Sequence, residues 1–217
     1  MTADLDRLPA ETLSPLADRV DETLALYGYE LGAAVEAIDD AVPGFGGLFD
    51  PGTTDDERRG AIDDVLAAGP PARQQTDPAV SEVVLYVDGS SHGNPGPAGA
   101  GAVLQAESGT LATLGRPVGS HVGNNVAEYA ALTLGLEAAV GRFDPDRVEV
   151  RIDSMTVIKD VWKDDTNAVP AEPYRQVIDS RLAAIERHGW THLADSEPNP
   201  ADAQARVGAD IAALGPG

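Results

Sequence analysis

VVLYVDGSSHGNPGPAG, residues 83–99, is the stretch on which the reading of this chain turns. A β-branched and aromatic run, Val83 to Val87, ends on a carboxylate, Asp88, and a turn dense in Gly, Ser, Asn and Pro follows. The pattern predicts a strand that delivers an acid to its own end, with a tight loop that leaves the acid uncrowded. An apolar run ending on Asp adds little to stability but suits a metal ligand.

Working outward, Ala98 to Ala106 (AGAGAVLQA) reads as a Gly-rich second strand and Gly109 to Val118 as a third, with the break at Glu107-Ser108-Gly109 reading as a hairpin turn. Asn124 to Val140 has the apolar spacing of a helix. Arg147 to Ile152 (RVEVRI) alternates as a strand and runs into Asp153. Helices are expected over Ser154–Trp162, Pro173–His188 and Ala201–Leu214, with a short strand over Trp190–Ala194. A hairpin-built sheet edge followed by strand–helix alternation predicts an α/β domain with a mixed sheet.

Residues 1–78 read as a separate, acidic helical extension ending in a linker. Apolar residues recur at helical spacing from Leu13 to Ile38, and Ser14-Pro15 is a helix start. A second helix is expected over Thr54–Ala67, with Asp55, Asp56 and Glu57 in its first turn. Gly69 to Pro78 (GPPARQQTDP) reads as the linker. Up to Pro78 there are seventeen acids and five bases, so this segment holds over half of the chain's net charge of -21. That charge argues against a basic, aromatic hybrid-binding module. A helical hairpin docking on the main domain or on a partner remains open.

Three further acids sit near the starts of helices: Glu128 in GNNVAEYA, Asp153 in VEVRIDSMTV, and Asp202 in EPNPADAQAR. Taken alone, each is ordinary, because a carboxylate there caps the helix or complements its dipole. As a set, with Asp88, they resemble the type 1 ribonuclease H family in its archaeal style. The motifs are DGS…NPG, NN-x-AE, a strand followed by DS, and an N-x-x-D variant at the start of the last helix. The resemblance covers about Glu82 to Leu214. The last motif is the loosest, since Asn199 precedes Asp202 by three residues rather than four, and Asp195 is the substitute.

The resemblance implies a ribonuclease H-like mixed five-stranded sheet over 79–217, flanked by helices. It implies hydrolysis of the RNA strand of RNA/DNA hybrids by a two-metal mechanism, leaving 5′-phosphate and 3′-hydroxyl ends. Asp88, Glu128, Asp153 and Asp202 are then the catalytic and metal-binding residues, for two Mg2+ ions with Mn2+ as a possible substitute. Crowded carboxylates repel one another, and divalent cations relieve that repulsion. Gly89, Ser90, Ser91, Asn94, Asn124, Asn125 and Ser154 are the implied substrate-binding residues, set against the RNA strand and its 2′-hydroxyls. Two alternatives stay open: a nuclease of the same superfold acting on double-stranded RNA or DNA, and a non-catalytic nucleic-acid-binding protein.

Departures from the family pattern are also legible. His192 falls within a strand rather than a loop before the last helix, and reads as structural. His92 lies in the Gly-rich loop. Lys159 and Lys163 are the best phosphate-contact candidates, because residues 163–173 form no basic protrusion.

Composition sets the remaining bounds. There is no cysteine, which excludes disulfides, thiolate metal sites and cysteine nucleophiles. No apolar run approaches the roughly 18 residues of a membrane span, and the acidic N-terminus lacks a signal pattern. The cytoplasm is therefore the expected location. Only two of the fifteen cations are lysines. The acidic, Lys-poor composition resembles that of halophile proteins, whose surface repulsion is screened by molar salt over about 3 Å. Long-range attraction to phosphate then cannot supply affinity, so short contacts and metal ions must.

Overall fold

The computed structural model describes residues 8–70, 80–163, 174–194 and 196–215. Five strands form one sheet in the order β3-β2-β1-β4-β5: β1 (Glu82–Ser91), β2 (Gly96–Ala106), β3 (Gly109–Val122), β4 (Arg147–Ile152) and β5 (Arg187–His192). The first three are antiparallel neighbours, while β4 and β5 join in parallel. Three helices, α1 (Pro15–Leu26), α2 (Leu31–Ala41) and α3 (Asp55–Ala68), precede the sheet. α4 (Asn124–Ala138), α5 (Met155–Lys163), α6 (Tyr174–Ala184) and α7 (Asp202–Ala212) complete the fold. Among the described residues no helix is long and apolar enough to cross a membrane.

The N-terminal apolar pattern proves to be two helices. Ser14 caps α1 by accepting the Ala17 N–H at 3.1 Å, with Pro15 in the first turn. At the other end Gly28 takes φ 64°, and the N–H groups of Gly28 and Tyr29 close onto the carbonyls of Ala25 and Leu24. That left-handed stop reverses the chain into α2. α3 opens with a reciprocal capping box between Thr54 and Glu57.

These helices share one apolar cluster with the sheet, in which Leu16, Val20 and Ile38 join Leu104, Leu114 and Val118. The edge of β3 is covered in two places. Glu11 N–H donates to Val118 O, and Ser120 N–H to Thr12 O. Further along, Glu30 bridges to Leu114, and Gly115 N–H donates to Tyr29 O. Of the two openings left by the sequence, docking on the main domain is the one seen. The linker, save Gly69 and Pro70, and residues 164–173 lie outside the described residues.

Strand bounds differ from expectation where the partner strand decides them. β1 does not end at Asp88 but continues to Ser91, because β2 pairs with it through Ser91 opposite Ala98. β5 begins at Arg187 rather than Trp190, since its ladder with β4 runs from Arg147 opposite Arg187 to Ile152 opposite His192. The preceding helix therefore stops at Ala184. α4 ends at Ala138 and passes into a single wide turn, Ala139–Phe143.

α4 and α7 cover opposite faces of the sheet. The Leu85 side chain packs at Gly135 of α4, whereas Asp88, three residues on and opposite Gly101, shares the α7 face. α7 lies backbone against backbone on β2: a Cβ on Gly99 would stand 2.1 Å from Ala209 N, and one on Gly101 2.3 Å from Ala201 O. The AGAGA run is thus a seat for the helix that carries Asp202.

Candidate active site

Asp88 in β1, Glu128 in α4 and Asp153 just after β4 present carboxylate oxygens that all lie within 4.8 Å of one another. Asp88 is 8% exposed and Glu128 4%. Gly89 makes this approach possible, because a Cβ there would meet Glu128 N at 2.5 Å. Its backbone also hydrogen-bonds the Glu128 carboxylate. Gly89 therefore belongs to the geometry of the β1–α4 contact.

Burial pushes the Asp88 carboxyl up to about 7, and the nearby charges of Asp153 and Asp202 add to the shift. Burial likewise raises Glu128 well above the usual carboxylate range, again with Asp153 and Asp88 contributing. One Glu128 oxygen accepts from Asn124 Nδ2 at 3.3 Å. The other, Oε2, is buried without a hydrogen-bond partner. A buried carboxylate oxygen left unpaired is costly, and two acids beside it make matters worse. A hard divalent cation satisfies all three groups at once, and an all-oxygen donor set suits Mg2+ or Mn2+.

Asp202 is the first residue of α7 and lines the same cleft as Asp88 and Asp153. It is not among the three that converge; its Oδ1 instead meets Arg206 at 2.9 Å. Asp195 lies outside the described residues. Asn199 Nδ2 donates to Val87 O at 2.9 Å, tying the segment before α7 to β1 beside Asp88.

The implied substrate-binding residues divide. Ser91, Asn94 and Asn124 form a chain: Ser91 Oγ lies 3.4 Å from Asn124 Oδ1, and Asn124 N–H donates to Asn94 Oδ1 at 3.2 Å. Asn124 thus links this loop to Glu128. Ser90 is half-buried at the end of β1, and Asn125 is exposed on α4. Ser154 accepts the Val157 N–H at 3.4 Å, a helix cap next to Asp153.

Neither nearby histidine touches a carboxylate of the cluster. His192 Nε2 lies 3.1 Å from the Asp153 backbone carbonyl, and His92 Nε2 lies 2.8 Å from Asp210 Oδ1 in α7. Lys163 stands over the Trp190 ring, 4.9 Å from its centroid. Arg206 is the cleft residue that sequence reasoning missed. Its only signal is the four-residue spacing from Asp202 on a helix.

The RNase H family model matches residues 80–195, more than half of the chain. The chain belongs to the RNase H family. Ribonuclease HI of Halobacterium salinarum is 37% identical over 133 residues, 60% of this chain and 65% of that protein. The chain thus spans slightly under two thirds of that relative. The N-terminal RNase H domain of Rv2228c from Mycobacterium tuberculosis, solved as a fusion with maltose binding protein, superposes with a TM-score of 0.56 at 31% identity. That match takes in 61% of this chain and 96% of the solved one. LC11-RNase H1, solved in complex with an RNA/DNA hybrid, matches at 27% identity and a TM-score of 0.50, over 60% of this chain and 98% of that one. The RNase H match begins at residue 80, after α1 to α3, and ends before Asp202.

Proposed function

We propose that this RNase H chain is a metal-dependent endoribonuclease that hydrolyses the RNA strand of RNA/DNA hybrids. The observation that carries the reading is the meeting of Asp88, Glu128 and Asp153 from three separate elements within 4.8 Å. Family membership and the hybrid-bound relative support it. Asp88, Glu128, Asp153 and Asp202 are the proposed catalytic and metal-holding residues. Two Mg2+ ions, with Mn2+ as substitute, would supply an activated water and charge stabilisation for the departing 3′ oxygen, giving 5′-phosphate and 3′-hydroxyl ends.

The chain's own residues do the rest. Asp88 and Glu128 are held deep, where burial strengthens their pull on any cation that arrives. Asn124 holds Glu128 through one oxygen and leaves the other unpaired. The Ser91–Asn94–Asn124 chain offers amide and hydroxyl groups of the kind that read 2′-hydroxyls. Residues 79–217 are the proposed catalytic unit, and residues 1–78 the proposed extension, whose Glu11, Thr12 and Tyr29 brace the β3 edge.

Matched RNA/DNA, RNA/RNA and DNA/DNA duplexes, assayed with Mg2+ or Mn2+ in high KCl, test the substrate class. Cleavage confined to the RNA strand of the hybrid is expected. Equal or greater cleavage of either other duplex overturns the reading, as does binding without cleavage of any of them.

A further inference from the structure

The cleft beside the acid cluster has a volume of about 370 Å³, and Asp88, Asp153, Glu197, Asn199, Asp202 and Arg206 line it. Among the described residues that line it, Arg206 is the one cation. Two other cations have aromatic and acidic partners of their own. Lys163 stacks on Trp190, and Arg151 lies over Tyr86 and reaches Glu149.

Arg206 is placed to move. Its side chain is 66% exposed, and it pairs with Asp202, one helical turn earlier on α7. An exposed, solvent-screened pair of this kind is weak, so a better anion readily displaces it. Its charge already reaches Asp88, where it opposes the upward push of burial. A phosphate diester is such an anion, because the planar guanidinium fork matches two of its oxygens. The need is also clear: at a net charge of -21, long-range repulsion works against a polyanion, and a short contact must hold it.

We propose that Arg206 is a phosphate-binding residue of the cleft. On substrate entry its guanidinium exchanges the Asp202 carboxylate for the non-bridging oxygens of an RNA-strand phosphate beside the acid cluster. The exchange leaves the Asp202 carboxylate unpaired and able to turn to the cluster. Only the identity of the polymer rests on the hybrid reading; the phosphate contact rests on the cleft.

Binding, not turnover, is the test. In an Asp153→Asn background with Mg2+, fluorescence anisotropy of a labelled RNA/DNA hybrid is followed over a range of KCl for Arg206, Arg206→Lys and Arg206→Ala. The Ala variant should bind about tenfold more weakly, with a slope of log affinity against log salt smaller by about one. The Lys variant should recover the slope and part of the affinity. Thermal melts of the three should coincide, since the pair is exposed. Equal affinity and equal slope for Ala and Arg overturn the proposal. RNA/RNA and DNA/DNA duplexes run alongside separate the two readings. If one of them binds in place of the hybrid, the substrate class is wrong, and the slope difference on that duplex still decides Arg206. If none binds the Arg206 protein, both fall.

Discussion

Arg116 of β3 and Asp21 of α1 form an ion pair at 3.1 Å with side chains 1% and 0% exposed. The pair joins the N-terminal helices to the sheet at a fully enclosed point, with the Arg116 guanidinium also over the Tyr29 ring at 5.1 Å. Removing one partner leaves an uncompensated buried charge, a cost of about 3–5 kcal/mol. Asp21→Ala should therefore lower the urea midpoint sharply, while Asp21→Leu with Arg116→Met should recover much of the loss. A single-variant midpoint equal to wild type contradicts this.

The same contact bears on the proposed boundary near residue 79. A chain starting there loses the backbone bonds from Glu11, Thr12 and Tyr29 along β3 and uncovers Arg116. An open, flat strand edge invites pairing with another copy. The shortened chain should melt at lower temperature and self-associate in size-exclusion chromatography. A monomer with unchanged melting temperature would show that the extension is dispensable to the fold.

Glu128→Gln removes a buried acid whose charge opposes burial and two neighbours. In metal-free protein at pH 8 the variant should melt higher than wild type. A gain of about 1 kcal/mol moves the midpoint by roughly 2–4 °C in a domain of this size. The stabilising effect of Mg2+ and the cleavage activity should both be lost. A lower metal-free melting temperature for Glu128→Gln contradicts the electrostatic argument.

pH and metal are linked through Asp88. Its folded carboxyl titrates near 7, against 3.8 ordinarily, so the folded state holds the proton more tightly. The stability this contributes is complete below about pH 4 and is lost as pH rises through 7. Metal-free protein should thus weaken over that window. Added Mn2+ should raise the melting temperature more at pH 8 than at pH 5, because the ligands must be deprotonated. An equal shift at both pH values goes against the account.

Legibility in the sequence followed the range of the forces involved. RVEVRI showed β4 to the residue, because alternation is local and Asp153 ends it. The four acids stood in recognisable motifs, and three of them converge. The far end of β1 was not legible, since pairing with β2 rather than local propensity carries the strand to Ser91. The reversal at Gly28 hid inside a continuous apolar rhythm. Asp21 with Arg116, 95 residues apart, left no trace in either local pattern. Arg206 looked like an ordinary helix charge until the cleft placed it beside Asp88 and Asp153.

Asp153→Asn, assayed on an RNA/DNA hybrid with Mg2+ and with Mn2+ and with the product ends mapped, probes the cluster most directly. Asp153 is exposed, so the fold should survive the change. Wild type should cut the RNA strand to leave 5′-phosphate and 3′-hydroxyl ends, and the variant should fall by at least about a hundredfold with either ion. Undiminished cleavage by Asp153→Asn would contradict the proposed site.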